Sequence, residues 1–173
     1  GRLVRASDDE NADLFWALRG GGGNFGVVTS LEFRLHAVGP MVAAATIFHA
    51  IENARDVLDF YRSFNEQAPD ELACYAMIVN APEDLPDQAG KAVLALIAVY
   101  SGDVEQGRRL MTPLAGYGSP LVAVVDAIPY TAMQTAFDAG NPHGARYYWK
   151  SQYLSGLDDD LLDTIASRAR DFR

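Results

Sequence analysis

Asp13-Leu14-Phe15-Trp16-Ala17-Leu18-Arg19-Gly20-Gly21-Gly22-Gly23-Asn24-Phe25-Gly26-Val27-Val28-Thr29-Ser30-Leu31-Glu32-Phe33-Arg34-Leu35 holds the order of elements on which the fold assignment turns. Its first seven residues have helical spacing, with Leu14, Phe15 and Leu18 on one stripe. Its last nine alternate: Val27, Thr29, Leu31, Phe33 and Leu35 share one face and Val28, Ser30, Glu32 and Arg34 the other, the period of a strand. Between them five glycines occupy the seven positions 20–26. Glycine loses more backbone entropy on folding than any other residue, so such a run is expected where the chain needs positive φ or close approach to something. A bare backbone with free N–H groups also cradles an anion such as a pyrophosphate.

The glycine spacing admits several phosphate-binding readings, and the neighbouring residues sort them. Gly21, Gly23 and Gly26 satisfy G-x-G-x-x-G. The dinucleotide fingerprint, however, needs a strand before the glycines and a helix after them. Here the order is reversed. With Val28 the same glycines fit the kinase loop G-x-G-x-x-G-x-V, which leads into a strand. That reading fails for want of a lysine between Val28 and Lys91 and of any H-R-D or D-F-G triplet. No Gly-Lys-Ser/Thr follows, so a Walker loop is excluded as well. What remains is a helix-to-strand junction whose backbone approaches a ligand or a neighbouring strand, or a tight turn that lets two elements pack.

Working outward, Gly1 to Ser7 reads as part of a strand, and Ser7 or Asp8 is placed to cap the following helix, with Asp9 and Glu10 favouring its N-terminal dipole. A chain that opens inside a strand is expected to be a fragment. Downstream, Ala37-Val38-Gly39-Pro40 breaks the alternation and sets a boundary between residues 1–38 and 39–173. Beyond it the pattern predicts strands over Met41 to His49, Leu72 to Asn80, Ala92 to Tyr100, Leu121 to Ile128 and Ala145 to Leu154. Helices are expected around Ala54 to Phe64, from Asp103 to a stop at Pro113, around Tyr130 to Phe137, and from Leu157. The polar loop Ala81 to Gly90 can join antiparallel neighbours, and Ala139 to Gly144 is a turn cluster. These elements make an α+β class protein, a mostly antiparallel sheet covered by helices on one face.

Composition narrows the partners. At 173 residues, 49% apolar and 21% charged, the chain is one globular domain, or one and a piece of another. A net charge of −9 with only two lysines, Lys91 and Lys150, leaves no basic stripe, so nucleic acid and anionic membrane are excluded as partners. The apolar run Val93 to Tyr100 has the length of a strand and not of a bilayer span. Cys74 is the only cysteine and is expected as a buried thiol, in keeping with the cytoplasm. His36, His49 and His143 are far apart and no spacing suggests a metal site.

The quoted stretch from Asp13 to Leu35 closely resembles the end of the FAD-binding domain in berberine-bridge-enzyme-like FAD-linked oxidases. The likeness extends more weakly through Pro129-Tyr130-Thr131-Ala132-Met133-Gln134 and Tyr147-Tyr148-Trp149-Lys150-Ser151, which are similar to the substrate domain of bacterial members. The resemblance implies a flavoprotein with an FAD-binding domain of the vanillyl-alcohol-oxidase (VAO/PCMH) type, ending near residue 38, and a substrate domain whose antiparallel sheet lies over the isoalloxazine ring. It implies oxidation of a small organic substrate by hydride transfer to FAD, with oxygen as acceptor. Gly22, Gly23, Asn24, Phe25, Gly26, Val27 and Val28 would lie along the FAD, the last three through backbone groups. The family's covalent attachment residues would precede Gly1, and neither Cys74 nor any of the three histidines matches their positions. On this view the chain is an internal piece, inert alone, whose partners are a small-molecule substrate and the remainder of its own FAD-binding domain. Exposed apolar surface would then favour self-association.

Alternation over Ala145 to Leu154 places Arg146, Tyr148, Lys150 and Gln152 on one face and Tyr147, Trp149, Ser151 and Tyr153 on the other. Tyr148, Lys150 and Gln152 are the candidate catalytic residues, on the substrate side, as hydrogen-bond donors or a general base. Tyr130 and Gln134 share a helical face. Phe15, Trp16 and Phe25 are expected in the core. Arg19 is expected to meet a phosphate or one of the acids at positions 8, 9, 10 and 13. The reading from another class is a stand-alone α+β module that binds a small ligand or a partner, with the glycines as a structural turn.

Overall fold

The computed structural model describes residues 1–83, 85 and 87–172. The chain divides into two units, Gly1–His36 and Ala37–Arg173. The first contains one short helix, α1 (Ala12–Leu18), and a 3-10 turn over Gly22–Phe25. Ser7 and Asp8 do not cap α1. Its N-cap is Asn11, in left-handed geometry without a side-chain cap, while Ser7 Oγ accepts from the backbone N–H groups of Asp9 and Glu10 in the bend before it. No residue of this unit is buried.

The strands expected over residues 1–7 and 27–35 are not formed. Both stretches lack regular structure, and Val27, Leu31, Phe33 and Leu35 are 67–92% exposed. A strand's backbone groups are satisfied only by a neighbouring strand, and the unit has no ladder among its described residues. The correct periodicity therefore produces extended chain and not sheet.

The second unit runs β1 (Met41–Ala50), a 3-10 turn (Ile51–Asn53), α2 (Ala54–Asn65), β2 (Leu72–Asn80), β3 (Ala92–Tyr100), α3 (Val104–Gly116), β4 (Val122–Pro129), α4 (Tyr130–Gln134) and α5 (Asp159–Ala169). The sheet order is β2-β3-β1-β4, every pair antiparallel. With α2 and α3 as crossovers this is the split β-α-β arrangement, β-α-β-β-α-β, with β1 and β3 central. Class and sheet agree with the α+β expectation.

Register decides which side chains meet. Ala45 faces Ala98 and Val125, and Ile47 faces Leu96, so Ala43, Ala45 and Ile47 share a face with Leu94, Leu96, Ala98 and Tyr100. On that face Val57 and Leu58 of α2, Met111 and Leu114 of α3, and Leu162 and Ala166 of α5 complete the core. Burying each Leu, Ile or Met side chain contributes about 1.5–3 kcal/mol. Asp103 caps α3 and Asp158 caps α5, each carboxylate accepting from the backbone N–H three residues on. Pro113 does not end α3. It removes one late backbone bond, but the helix continues to Gly116 because Leu114, the next residue, is fully buried. α5 is tied to α2 by Arg55, which bonds Asp163 and Asp159, and by Arg62, which bonds Asp159, Asp59 and the Leu157 carbonyl.

The opposite sheet face carries Tyr75 and Met77 of β2, Ala95, Ile97 and Val99 of β3, Ala44, Thr46 and Phe48 of β1, and Val124 of β4. Ala81 and Leu85 of the β2–β3 connection cover one end of it, against Val93, Phe48, Val79 and Val122. Elsewhere it is open: Tyr75 is 59% and Val124 52% exposed.

The strand expected from Ala145 to Leu154 is absent; this segment has no regular structure and every residue in it is exposed. Its alternation is real, but no described strand pairs with it.

Candidate functional site

The glycine run shows why the chain needs glycine there. Gly20, Gly22 and Gly26 have φ of 114°, 68° and 137°, the region that side-chain-bearing residues avoid. Gly21 meets a different demand: a Cβ there would overlap the Ala17 carbonyl oxygen and the Phe25 ring. The ring of Phe25 is folded back over Gly21 while leaving 49% of the residue exposed. Asn24 Nδ2 donates to the Gly21 carbonyl at 3.2 Å and closes the turn. Among the described residues, the backbone N–H groups of Gly26, Val27 and Val28 make no hydrogen bond within the chain. The result is an exposed bend presenting unpaired donors and no bulky side chain at Gly22, Gly23 or Gly26.

One expectation about its flanks is corrected. Trp16, 74% exposed, and Phe25 are not core residues, since a unit of this size with no buried residue has no core to join. Arg19 pairs with none of the four acids among the described residues; its guanidinium lies over the Phe15 ring, 4.4 Å from the centroid, a contact typical of arginine.

In the second unit, Tyr148 is 83% exposed and Lys150 Nζ stands 5.7 Å from its ring centroid, so the structure brings these two together. Gln152 is exposed. Tyr147, from the other face of the alternation, donates its hydroxyl to the Pro142 carbonyl and secures the turn before the segment. Cys74 is half-buried on β2, where burial pushes its thiol up to about 11, so it is not a thiolate nucleophile at neutral pH. Tyr61 donates to the Cys74 carbonyl, and burial raises its phenol as well.

The sequence reading missed His49. It is fully buried on β1, and neither ring nitrogen has a hydrogen-bond partner among the described residues. The available signal was its place on the apolar face of the alternating run Ala43, Ala45, Ile47.

An exposed glycine turn with free donors invites comparison with proteins that hold a large anion on backbone. Over 167 residues, 95% of this chain, it is 30% identical to an FAD-linked oxidoreductase of Dictyostelium discoideum and covers 34% of that protein. The chain is homologous to FAD-linked oxidoreductases. It is 29% identical to a xylooligosaccharide oxidase of Thermothelomyces thermophilus, over 96% of this chain and 34% of the relative. It is also 29% identical to an uncharacterized FAD-linked oxidoreductase of Bacillus subtilis, over 99% of this chain and 40% of the relative. The chain thus spans about a third of the length of the first curated relatives it matches. No protein-family model matches it. No helix among the described residues is long and apolar enough to cross a membrane.

Proposed function

We propose that this chain is part of a berberine-bridge-enzyme-like FAD-dependent oxidoreductase that oxidises a small organic substrate by hydride transfer to flavin, with oxygen as electron acceptor. The observation that carries the reading is the similarity to FAD-linked oxidoreductases over nearly the whole chain. Residues 1–38 are read as the end of a VAO/PCMH-type FAD-binding domain and residues 39–173 as substrate domain. The glycine turn fits a pyrophosphate-bearing cofactor: its donors are unpaired and its backbone is accessible. In this reading Gly22, Gly23, Asn24, Phe25, Gly26, Val27 and Val28 line FAD, with Gly26, Val27 and Val28 offering backbone contacts.

FAD, when bound, supplies the two-electron acceptor; the protein's part is positioning and exclusion of side reactions. Tyr148, Lys150 and Gln152 are assigned to the substrate side. Lys150 and Gln152 are read as holding the substrate by hydrogen bonds, and Tyr148 or Lys150, in its deprotonated form, as the general base for the proton released as the substrate is oxidised. The open, largely apolar sheet face suits a small organic substrate. No covalent flavin link is assigned to this chain, in keeping with the fully buried His49 and the inert Cys74. These 173 residues alone are read as inert, because a few backbone contacts do not retain a dinucleotide. The cytoplasm is the proposed compartment, on the single unpaired cysteine.

The test is made in the complete polypeptide. Gly26→Val, at φ 137°, should yield protein depleted of flavin while the circular dichroism spectrum keeps its shape. Tyr148→Phe, Lys150→Met and Gln152→Leu should keep the flavin and lose turnover. A complete polypeptide that purifies colourless and takes up no added FAD overturns the reading; so does a Gly26→Val enzyme with full flavin content.

A further inference from the structure

His49 is the only buried polar or charged residue among those described, and it is placed where a proton would act on a connection between elements. Its exposure is 0% and, among the described residues, both Nδ1 and Nε2 lack partners. An unpaired imidazole in a dry environment is tolerated as the neutral ring and strongly opposed as the cation. It sits near the end of β1, opposite Leu94 of β3, and its Cε1 is 4.0 Å from where a Cβ on Gly118 would lie. Gly118 has φ +60° and belongs to the α3–β4 connection, residues 117–121. That connection is held at its far end by Leu121 N–H donating to the Phe48 carbonyl at 2.7 Å, next to His49 itself. At its near end Tyr117 stacks on Phe60 at 3.9 Å and donates to the Asp56 carbonyl.

The charged groups on the surrounding elements do not offset a proton there. Glu52 follows β1, Arg55, Asp56, Asp59 and Arg62 lie on α2, Lys91 precedes β3, Glu105, Arg108 and Arg109 lie on α3, Asp126 lies on β4, and Asp159, Asp160, Asp163 and Arg168 lie on α5; residues 117–121 carry none. Glu52 and Asp56 are exposed, and Arg55 is engaged with acids of α5 and with Asp59. Burial alone pushes the His49 imidazole below its ordinary 6.5, with no charged neighbour contributing.

We propose that His49 is a proton-operated latch: protonation of its ring releases the α3–β4 connection, residues 117–121, from the end of β1 while the core of the second unit stays folded. The sign follows from linkage. The open form protonates His49 near 6.5 and the closed form only at lower pH, so closure is strongest above 6.5 and weakens as pH falls from 6.5 toward the lowered value. Within that window each pH unit raises the open population by up to about tenfold.

The experiment is amide hydrogen exchange on the unaltered chain at pH 8 and pH 5, normalised to intrinsic rates. Residues 117–122 should lose protection at pH 5, while Ala45, Ile47 and Leu96 keep theirs. His49→Phe, which keeps a buried ring without a titrating nitrogen, should remove the difference. Equal protection of residues 117–122 at both pH values overturns the proposal, as does the same loss in His49→Phe or a loss shared by the core amides. Should His49→Phe not fold, imidazole resonances of the unaltered chain decide. Protonation of His49 with residues 117–122 still protected overturns the latch, and protonation in step with their exposure supports it.

Discussion

Gly1–His36 and Ala37–Arg173 are written in the same alphabet of alternating and helically spaced apolar residues, yet one has no buried residue and the other has a continuous core. Val27 to Leu35 and Met41 to Ala50 make the contrast sharp. Both alternate for nine or ten residues, but only the second has a neighbour on each side, β3 and β4, to take its backbone bonds. An apolar face contributes to stability only when another element covers it, and a strand exists only in a ladder. In this chain the conserved quantity in folding is therefore pairing and not pattern: Ile47 is fully buried, whereas Leu35 is 86% exposed.

The contrast can be challenged by substitution. The largest effect is expected at Leu96, fully buried at the centre of β3: Leu96→Ala should cost about 2–5 kcal/mol, read as a lower urea midpoint at unchanged slope. A loss below about 1 kcal/mol would mean that this core collapses around the cavity. Next comes Gly107 on α3, where an added Cβ would sit 2.7 Å from Ala43 Cβ and 2.7 Å from Tyr100 Cδ1. Gly107→Val should cost about 1–3 kcal/mol by pushing α3 off the sheet, and a neutral result would refute that close approach. The smallest effect is expected in the first unit: Leu31→Ser and Phe33→Ser, at 67% and 70% exposure, should change stability by no more than about 0.5 kcal/mol. These two should also reduce self-association in sedimentation if exposed apolar chain drives it; a large stability loss would reveal packing that the contrast denies.

Much of the second unit was legible because its signals are local. Leu72 to Asn80 and Ala92 to Tyr100 are apolar runs with polar loops at their ends, and both form strands with those bounds. Asp103 sits before a run that buries one helical face and caps its helix as expected, whereas the last helix, expected from Leu157, starts at Asp159 with Asp158 as its cap. Pro113 does not stop α3 as a proline's local cost predicts, because Leu114 beside it is fully buried. At the glycine run, the reversed order of helix and alternation rules out the dinucleotide reading, and the want of a lysine between Val28 and Lys91 and of H-R-D and D-F-G triplets rules out the kinase reading. The residues now proposed to line FAD were named from the resemblance, and the structure adds why Gly21 tolerates no side chain. Tyr148, Lys150 and Gln152 were grouped by a strand period, but Tyr148 and Lys150 meet as neighbours along an irregular segment.

The amino-acid order by itself determined the positions of glycine, the Asp103 cap, the apolar runs of the sheet and the absence of a basic surface, because each follows from a residue's own backbone freedom, charge or hydropathy. Tertiary structure alone decided the strand order β2-β3-β1-β4, which alternating stretches became strands, and the burial of His49 with both nitrogens unpaired among the described residues. Those outcomes depend on partners tens of residues away: Ala43 pairs with Tyr100 on one side and Ala127 on the other, and no local period encodes that meeting.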